Sequence, residues 1–414
     1  MLNANMPIKP GDFPGNGILK TIENGCGKNE CTYTQPQSDH GCQAGKRGKS
    51  VCLLEHTSKI AEKIRISGGG RCNFTNLYSD DNNFLSENIH FCKSAFSKYT
   101  QLDFINLVKK HSIEFHEKKL GQLFCNKSAK DIIEMLISEC EKQKVKIKIE
   151  TKINTLNKTK DCYVIKTNTG DLFSSSIVIA TGGLSIPKIG ATDFGYKVAK
   201  QFNLKVTKLY PALVPLIFDN EILEFCKSLA GVSVNASVKI NKTVFDEGLI
   251  FTHRGISGPS ILQISSFWKD AKPVTINLLP EYDLDQILKA RRVETPKQNI
   301  SRILSDYLPN RLAEAVCNKL KINIKIADTS NENIKKISQF VNQWTVIPIG
   351  TEGYKTAEVT LGGVDTEEIS SSTMECKKHS GLYFIGEVLD VTGHLGGHNF
   401  QWAWSSGFLA GQNV

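Results

Sequence analysis

The sequence predicts an α/β fold around a parallel sheet covered on both faces, and three stretches predict it. The first is residues 50–71: an unbroken apolar run, Val51-Cys52-Leu53-Leu54, then Glu55, then Ser67-Gly68-Gly69-Gly70-Arg71. The second is Ile177-Val178-Ile179-Ala180 running straight into Thr181-Gly182-Gly183. The third is Leu382-Tyr383-Phe384-Ile385 followed by Gly386, Glu387 and Asp390, then Gly396, Gly397 and Asn399 ahead of a helical stretch. Short strands without polar alternation suit a sheet buried on both sides. An acid at the carboxyl end of such a strand is placed to accept ribose hydroxyls, as in a Rossmann-like dinucleotide-binding unit. Successive glycines let the backbone approach a pyrophosphate, and Arg71 can add charge there.

Along the chain, residues 1–43 carry Gly, Pro, Asn and Gln with almost no apolar periodicity. The first strand and glycine turn of a dinucleotide fold belong here, about 20 residues before the ribose acid. Gly25-Cys26-Gly27 begins like GxGxxG, but Glu30 occupies the third glycine's place and no apolar strand precedes it. The expectation is therefore that 1–43 is an aberrant segment replacing that strand and turn. Helical spacing recurs at Phe104, Leu107 and Val108 and at Ile132, Ile133, Leu136 and Ile137, with Ser128 as N-cap and Asp131 three residues on. Residues 204–275 read as β-rich, and 283–340 as a charged helical piece. The expected domains are 44–203 and 355–414 as two parts of the nucleotide-binding domain, with 204–354 inserted between them.

Composition narrows the class. The 414 residues are 40% hydrophobic and 22% charged, the balance of a globular protein. No apolar run approaches the roughly 18 residues that span a bilayer, and no secretory signal opens the chain. A cytoplasmic protein with no membrane partner is expected. The formal charge of +9 comes from scattered lysines, which argues for a general solubility effect with some attraction for anionic ligands over a nucleic-acid or membrane partner. Twelve cysteines include no CxxC pair, and Cys26, Cys31, His40 and Cys42 match no standard metal spacing, so no metal site is expected. Neither GxSxG nor HExxH occurs, which leaves redox chemistry carried by a bound cofactor as the leading function.

Several longer stretches resemble a known family. KIRISGGGRCNFTN (63–76), IATGGLSIPKIGATDFGY (179–196), PALVPL (211–216), FTHRGISGP (251–259), AEVTLGGV (357–364) and LYFIGEVLDVTGHLGGHNFQWAWSSGFLAG (382–411) resemble the BaiN/YhiN-like flavoproteins, also called aminoacetone-oxidase-family FAD-binding enzymes. The resemblance spans 44–414 and implies a fold of two dinucleotide-binding domains with an inserted β-rich domain and a small helical subdomain. It implies FAD as cofactor, NAD(P)H as reductant and oxidoreduction of an unidentified small organic substrate. By position it implies that Glu55 binds the adenosine ribose and that Ser67, Gly68, Gly69, Gly70, Arg71, Cys72 and Asn73 run along the FAD. Thr181, Gly182 and Gly183 would flank the cofactor. Gly386, Glu387 and Asp390 would meet its pyrophosphate and ribitol, with Gly396, Gly397 and Asn399 near the isoalloxazine edge. His253, Arg254, His394 and His398 are the polar candidates for facing substrate.

The departures are the missing first strand and GxGxxG, an abrupt start of the match at Ala44, and Ile186 where the family usually has Tyr. They raise a second expectation, a frameshifted or non-functional relative unable to hold FAD. A third is an RNA-associated flavoprotein.

Overall fold

The computed structural model describes residues 30–34, 38–269 and 271–414. These form two units: residues up to Tyr210 together with Val359–Val414, and Pro211–Glu358.

The first unit is built on a five-stranded parallel sheet. Its elements include β1 (Glu30–Thr34), α1 (Ser38–Lys46), β2 (Ser50–Leu54), α2 (Glu62–Ile66), β3 (Asn73–Asn76), β4 (Phe115–Glu117), β5 (Gln122–Cys125), α3 (Ala129–Lys142), β6 (Lys146–Lys148), β7 (Ser176–Ile179), β8 (Leu382–Phe384) and α4 (His398–Asn413). The sheet order is β8-β7-β1-β2-β6, every pair parallel. The apolar runs of β2 and β7 are buried, as a doubly covered sheet requires.

The expectation that a first strand is missing is corrected. Glu30–Thr34 lies at the centre of the sheet, with Thr32 opposite Cys52 on one side and Ile177 on the other. A central strand is held by two backbone ladders, and Thr and Tyr favour extended backbone without forming an apolar run. The segment lacks the hydrophobic pattern by which a buried strand is read from sequence, and a central position does not strictly demand that pattern. Residues 35–37, between β1 and α1, and Gly25-Cys26-Gly27 lie outside the described residues.

Helix α3 starts where its cap predicts. Ser128 accepts from the Lys130 amide while Asp131 accepts from the Ser128 amide, a reciprocal box. Helix α4 is buried along most of its length. Its small residues let it lie close to its neighbours, and its indole donors are satisfied within the protein: Trp404 Nε1 donates to Phe74 O (2.9 Å) and Trp402 Nε1 to Gly386 O (3.0 Å). The Trp404 ring stacks on Phe104 with centroids 4.5 Å apart.

The second unit carries a seven-stranded antiparallel sheet from residues 216–217, 233–240, 243–251, 255–257, 274–277, 344–346 and 350–351. Four helices, Leu284–Glu294, Ile300–Leu304, Asn310–Leu320 and Asn331–Asn342, contribute to its core. Phe225, Phe251, Phe340 and Trp344 form its aromatic centre.

Candidate functional site

Strand β2 delivers Glu55 to the carboxyl edge of the sheet, where it is 1% exposed. Its Oε1 accepts from the Thr57 amide (2.8 Å) and hydroxyl (2.6 Å), and His56 Nδ1 stands 3.2 Å away. Among the described residues no donor reaches Oε2. Burial raises the carboxyl to about 7, against the Thr57 hydrogen bonds that lower it. His56, also buried, is pushed down to about 4 and stays neutral near pH 7.

Beside Glu55 a cavity opens, lined also by Thr57, Lys63, Thr181, Gly182 and Ser185. Gly182 has φ +69°, and a Cβ there would meet nothing within 4 Å, so the backbone faces open space. Gly183 is instead closed in, and a Cβ there would run into Thr360 and Glu387. Glu387 is the hub of this wall. It pairs with Lys63 Nζ (2.5 Å) and accepts from Ser185 Oγ (3.1 Å) and the Thr360 amide (2.9 Å). Lys63, Ser185 and Thr360 are not marked out by the sequence. A lysine that sits 324 positions from its carboxylate leaves no local signal; only KIRISGGG, read as a unit, contains it.

The loop after α2 turns through three left-handed glycines, Gly68 (φ +57°), Gly69 (φ +67°) and Gly70 (φ +83°). Ser67 Oγ donates to Ile64 O, and the Cys72 amide donates to Ser67 O, which closes the turn. Arg71 is exposed, and Cys72 is fully buried with its thiol pushed up by burial. Asn73, with its amide oriented to satisfy both ends, accepts from the Gly397 amide at 3.2 Å. The loop therefore meets the C-terminal motif directly. Asn76 Nδ2 donates to Gly396 O (2.9 Å), and a Cβ on Gly397 (φ +97°) would stand 2.5 Å from Thr75 O.

Within that C-terminal motif, Gly386 is held at both ends, its amide donating to Ser406 Oγ (3.0 Å) and its carbonyl accepting from Trp402. Asp390 is buried and accepts from the Glu87 amide at 2.9 Å. Asn399 spends its amide on its own loop, accepting from the Gly393 amide (2.8 Å) and donating to Gly393 O (2.9 Å) and His394 O (3.3 Å). His398 shares a 2.9 Å hydrogen bond with Ser79 Oγ. Burial lowers both His394 and His398, the latter to about 3. Neither carries a second proton near neutral pH.

The structure thus brings 67–73 together with 396–399, and 182–183 together with 387, in one unit. His253 and Arg254 sit exposed at the turn between strands Thr243–Phe251 and Gly255–Ser257 of the second unit. Among the described residues no group of three or more His, Cys, Asp and Glu side chains could hold a metal ion, and no helix is long and apolar enough to cross a membrane.

An FAD fits these residues on two observations. The Glu55 carboxylate lines the cavity with both Thr57 hydrogen bonds on Oε1, so its other oxygen can accept from a ribose diol, and the open side of Gly182 leaves room for the ligand. Comparison with known proteins agrees. The family model described as HI0933-like protein Rossmann domain matches residues 41–413. The ribosomal RNA dihydrouridine synthase of Escherichia coli (strain K12) is 48% identical over 373 residues, covering 90% of this chain and 93% of that protein. Its namesake in Haemophilus influenzae is 44% identical over 379 residues, covering 90% and 94%. A 3-dehydro-bile acid delta(4,6)-reductase of Clostridium scindens is 28% identical over 380 residues, covering 87% and 92%. The chain belongs to the HI0933-like, BaiN/YhiN-like family of FAD-binding Rossmann proteins.

Proposed function

We propose that this flavoprotein reduces the C5=C6 bond of a uridine in ribosomal RNA, with FAD as cofactor and NAD(P)H as reductant. One observation carries the reading: 48% identity, across nine-tenths of both chains, to a protein named a ribosomal RNA dihydrouridine synthase. The more distant relative named a bile acid reductase supports the reaction class. Uracil and a 3-keto-4,6-diene steroid share a C=C conjugated to a carbonyl, which accepts hydride at its β carbon and a proton at its α carbon. RNA then takes the place of the small organic substrate that the family resemblance implies.

FAD, when bound, supplies the hydride chemistry. The chain's own residues do the holding. Glu55 Oε2 accepts the adenosine ribose hydroxyls, and Lys63 offsets phosphate charge from its place against Glu387 and Ser185. Ser67–Gly70, Arg71, Cys72 and Asn73, with Thr181, Gly182 and Gly183, form a wall of backbone and small groups. Gly386, Glu387, Asp390, Gly396, Gly397 and Asn399 continue that wall, with Gly397 against Asn73 and Glu387 against Gly183. His394 and His398 serve as neutral hydrogen-bond partners, and His253 and Arg254 are open to substrate in their own unit.

The test is mass spectrometry of nucleosides from ribosomal RNA lacking dihydrouridine, after incubation with the flavin-loaded protein and NADPH or NADH. Dihydrouridine should appear, and its absence with a fully reducible flavin would refute the RNA substrate. A second reading, that the chain holds no FAD, rests on Gln35-Pro36-Gln37 between β1 and α1, where the glycine turn belongs. A visible spectrum of the purified protein decides it: a flavin band near that of free FAD removes this reading, and a colourless protein that takes up no added FAD removes the first.

A further inference from the structure

We propose that His56 is a positioning residue of the FAD site: its Nδ1 donates to Glu55 Oε1 when the carboxylate is charged, leaving Oε2 for the ribose, and its ring seats a turn that forms part of the cavity wall. This rests on FAD as the ligand of that cavity. His56 follows Glu55 just beyond β2 and is 4% exposed. Neither ring nitrogen has a hydrogen-bond partner among the described residues, an arrangement that burial makes costly. Nδ1 nevertheless stands 3.2 Å from Glu55 Oε1. Nε2 faces the turn Pro187–Ile189 and the residue after it, Gly190. Gly190 has φ +101°, and a Cβ there would stand 2.8 Å from Nε2 and 2.8 Å from the Thr57 methyl, so only glycine lets the turn rest on the ring. Ser185, Ile189 and Ala191, around that contact, line the cavity together with Glu55. His56 is thus clamped between the acid and the wall and does not line the cavity itself.

Oε1 already accepts the amide and hydroxyl of Thr57, and both donors favour the charged carboxylate. A third donor on that oxygen adds to the preference, because a hydrogen bond to an ionised oxygen is stronger than one to a neutral acid. The neutral imidazole has one proton to place, and Nε2, packed against Gly190, has no acceptor for it. The same rule makes the carboxylate the better partner of the ribose diol, so FAD selects the ionised form of Glu55. Burial pushes that carboxyl up to about 7, which makes the ionised form scarce below neutral pH. Glu62 on the cavity wall adds to the rise; Lys59 and Lys63 line the cavity with it, Lys63 bound to Glu387. Burial and the charge of Lys152 hold His56 down at about 4, so it is a neutral donor wherever Glu55 titrates.

The readout is the dissociation constant of FAD, measured by quenching of its fluorescence on the deflavinated full chain from about pH 6 to about pH 8.5. In the parent, affinity should rise about tenfold across this range, because only about one-tenth of Glu55 is ionised a full unit below its midpoint. His56→Phe keeps a flat ring under Gly190 and removes the donor. It should fold as the parent does, since no ring nitrogen is then buried unpaired. Its midpoint should move up by about one pH unit, so that FAD binds about tenfold more weakly than to the parent at pH 6 and within about twofold at pH 8.5. His56→Asn returns a donor near the place of Nδ1 without the rest of the ring. It should restore the parent's midpoint while losing affinity by the same factor at every pH. A midpoint that His56→Phe leaves in place, or that His56→Asn displaces as far as His56→Phe does, overturns the donor role and leaves the flavin site standing. So does a parent that binds FAD with an affinity flat across the range. A parent that takes up no FAD at any pH overturns the cofactor and the role of His56 together.

Discussion

Glu55→Gln should make the flavin-free protein more stable at pH 8 and worse at holding FAD. The carboxyl rises from an ordinary 4.5 to about 7 on folding, because burial penalises its charge more than Thr57 favours it. The folded state therefore holds a proton that the unfolded state has released between those two values. Stability falls as pH rises through that window, and is lowest above pH 7. The difference of about 2.5 units corresponds to roughly 3 kcal/mol. Gln is isosteric, never ionises, and can keep both Thr57 bonds on its oxygen. Urea unfolding of the deflavinated proteins should show the variant ahead by up to about 3 kcal/mol at pH 8 and level with the parent at pH 4.5. FAD affinity should move the other way, by about 10- to 100-fold, through loss of a charged acceptor for ribose hydroxyls. A parent as stable as the variant at pH 8 would refute the desolvation argument. FAD binding left intact would remove Glu55 from the ribose site.

Other tests follow from the same geometry. Lys63→Met takes the cation from the cavity wall and leaves Glu387 without its partner, and FAD titration should show affinity lower by about tenfold, a modest figure because Lys63 is one-third exposed. Gly397→Ala forces a Cβ onto the Thr75 carbonyl at φ +97°, and thermal unfolding should show a loss of at least about 2 kcal/mol. Phe104→Ala removes a fully buried ring stacked on Trp404 and should cost about 3–5 kcal/mol in urea titrations. His398, lowered to about 3, binds its proton only after unfolding, so it contributes stability that is lost as pH falls below about 6.5; His398→Gln should blunt that acid sensitivity in unfolding curves from pH 7 to pH 4.

Much of the first unit is legible in the sequence wherever local pattern and tertiary position agree. The apolar run at 51–54 is β2, Ile177–Ile179 falls in β7, and Leu382–Phe384 is β8, because these strands of a doubly covered sheet are apolar on both faces. Ser128 and Asp131 mark the start of α3 because a cap is a local bond. β1 is illegible for the opposite reason, since Cys-Thr-Tyr-Thr gains its strand character from neighbours on both sides. The Lys63–Glu387–Ser185 cluster is also hidden: each residue is unremarkable alone, and only the fold brings positions 63, 185 and 387 together. Asn399 shows the reverse case, an amide conspicuous in sequence that proves to be committed to its own turn.

The parallel sheet of the first unit takes four strands from before the inserted unit and its edge strand, β8, from after it. Helix α4, which places Trp402 in the hydrophobic core around that sheet, comes later still. During synthesis the nascent first unit must therefore wait, with one edge unpaired and its core incomplete, until residues 382–413 have emerged. The core of the second unit draws only on residues between Leu216 and Val346 and can close in the meantime. The second unit can then close before the first is complete, and the β7 edge, unpaired until β8 arrives, is the point at which a chaperone, or a neighbouring nascent chain, would find it.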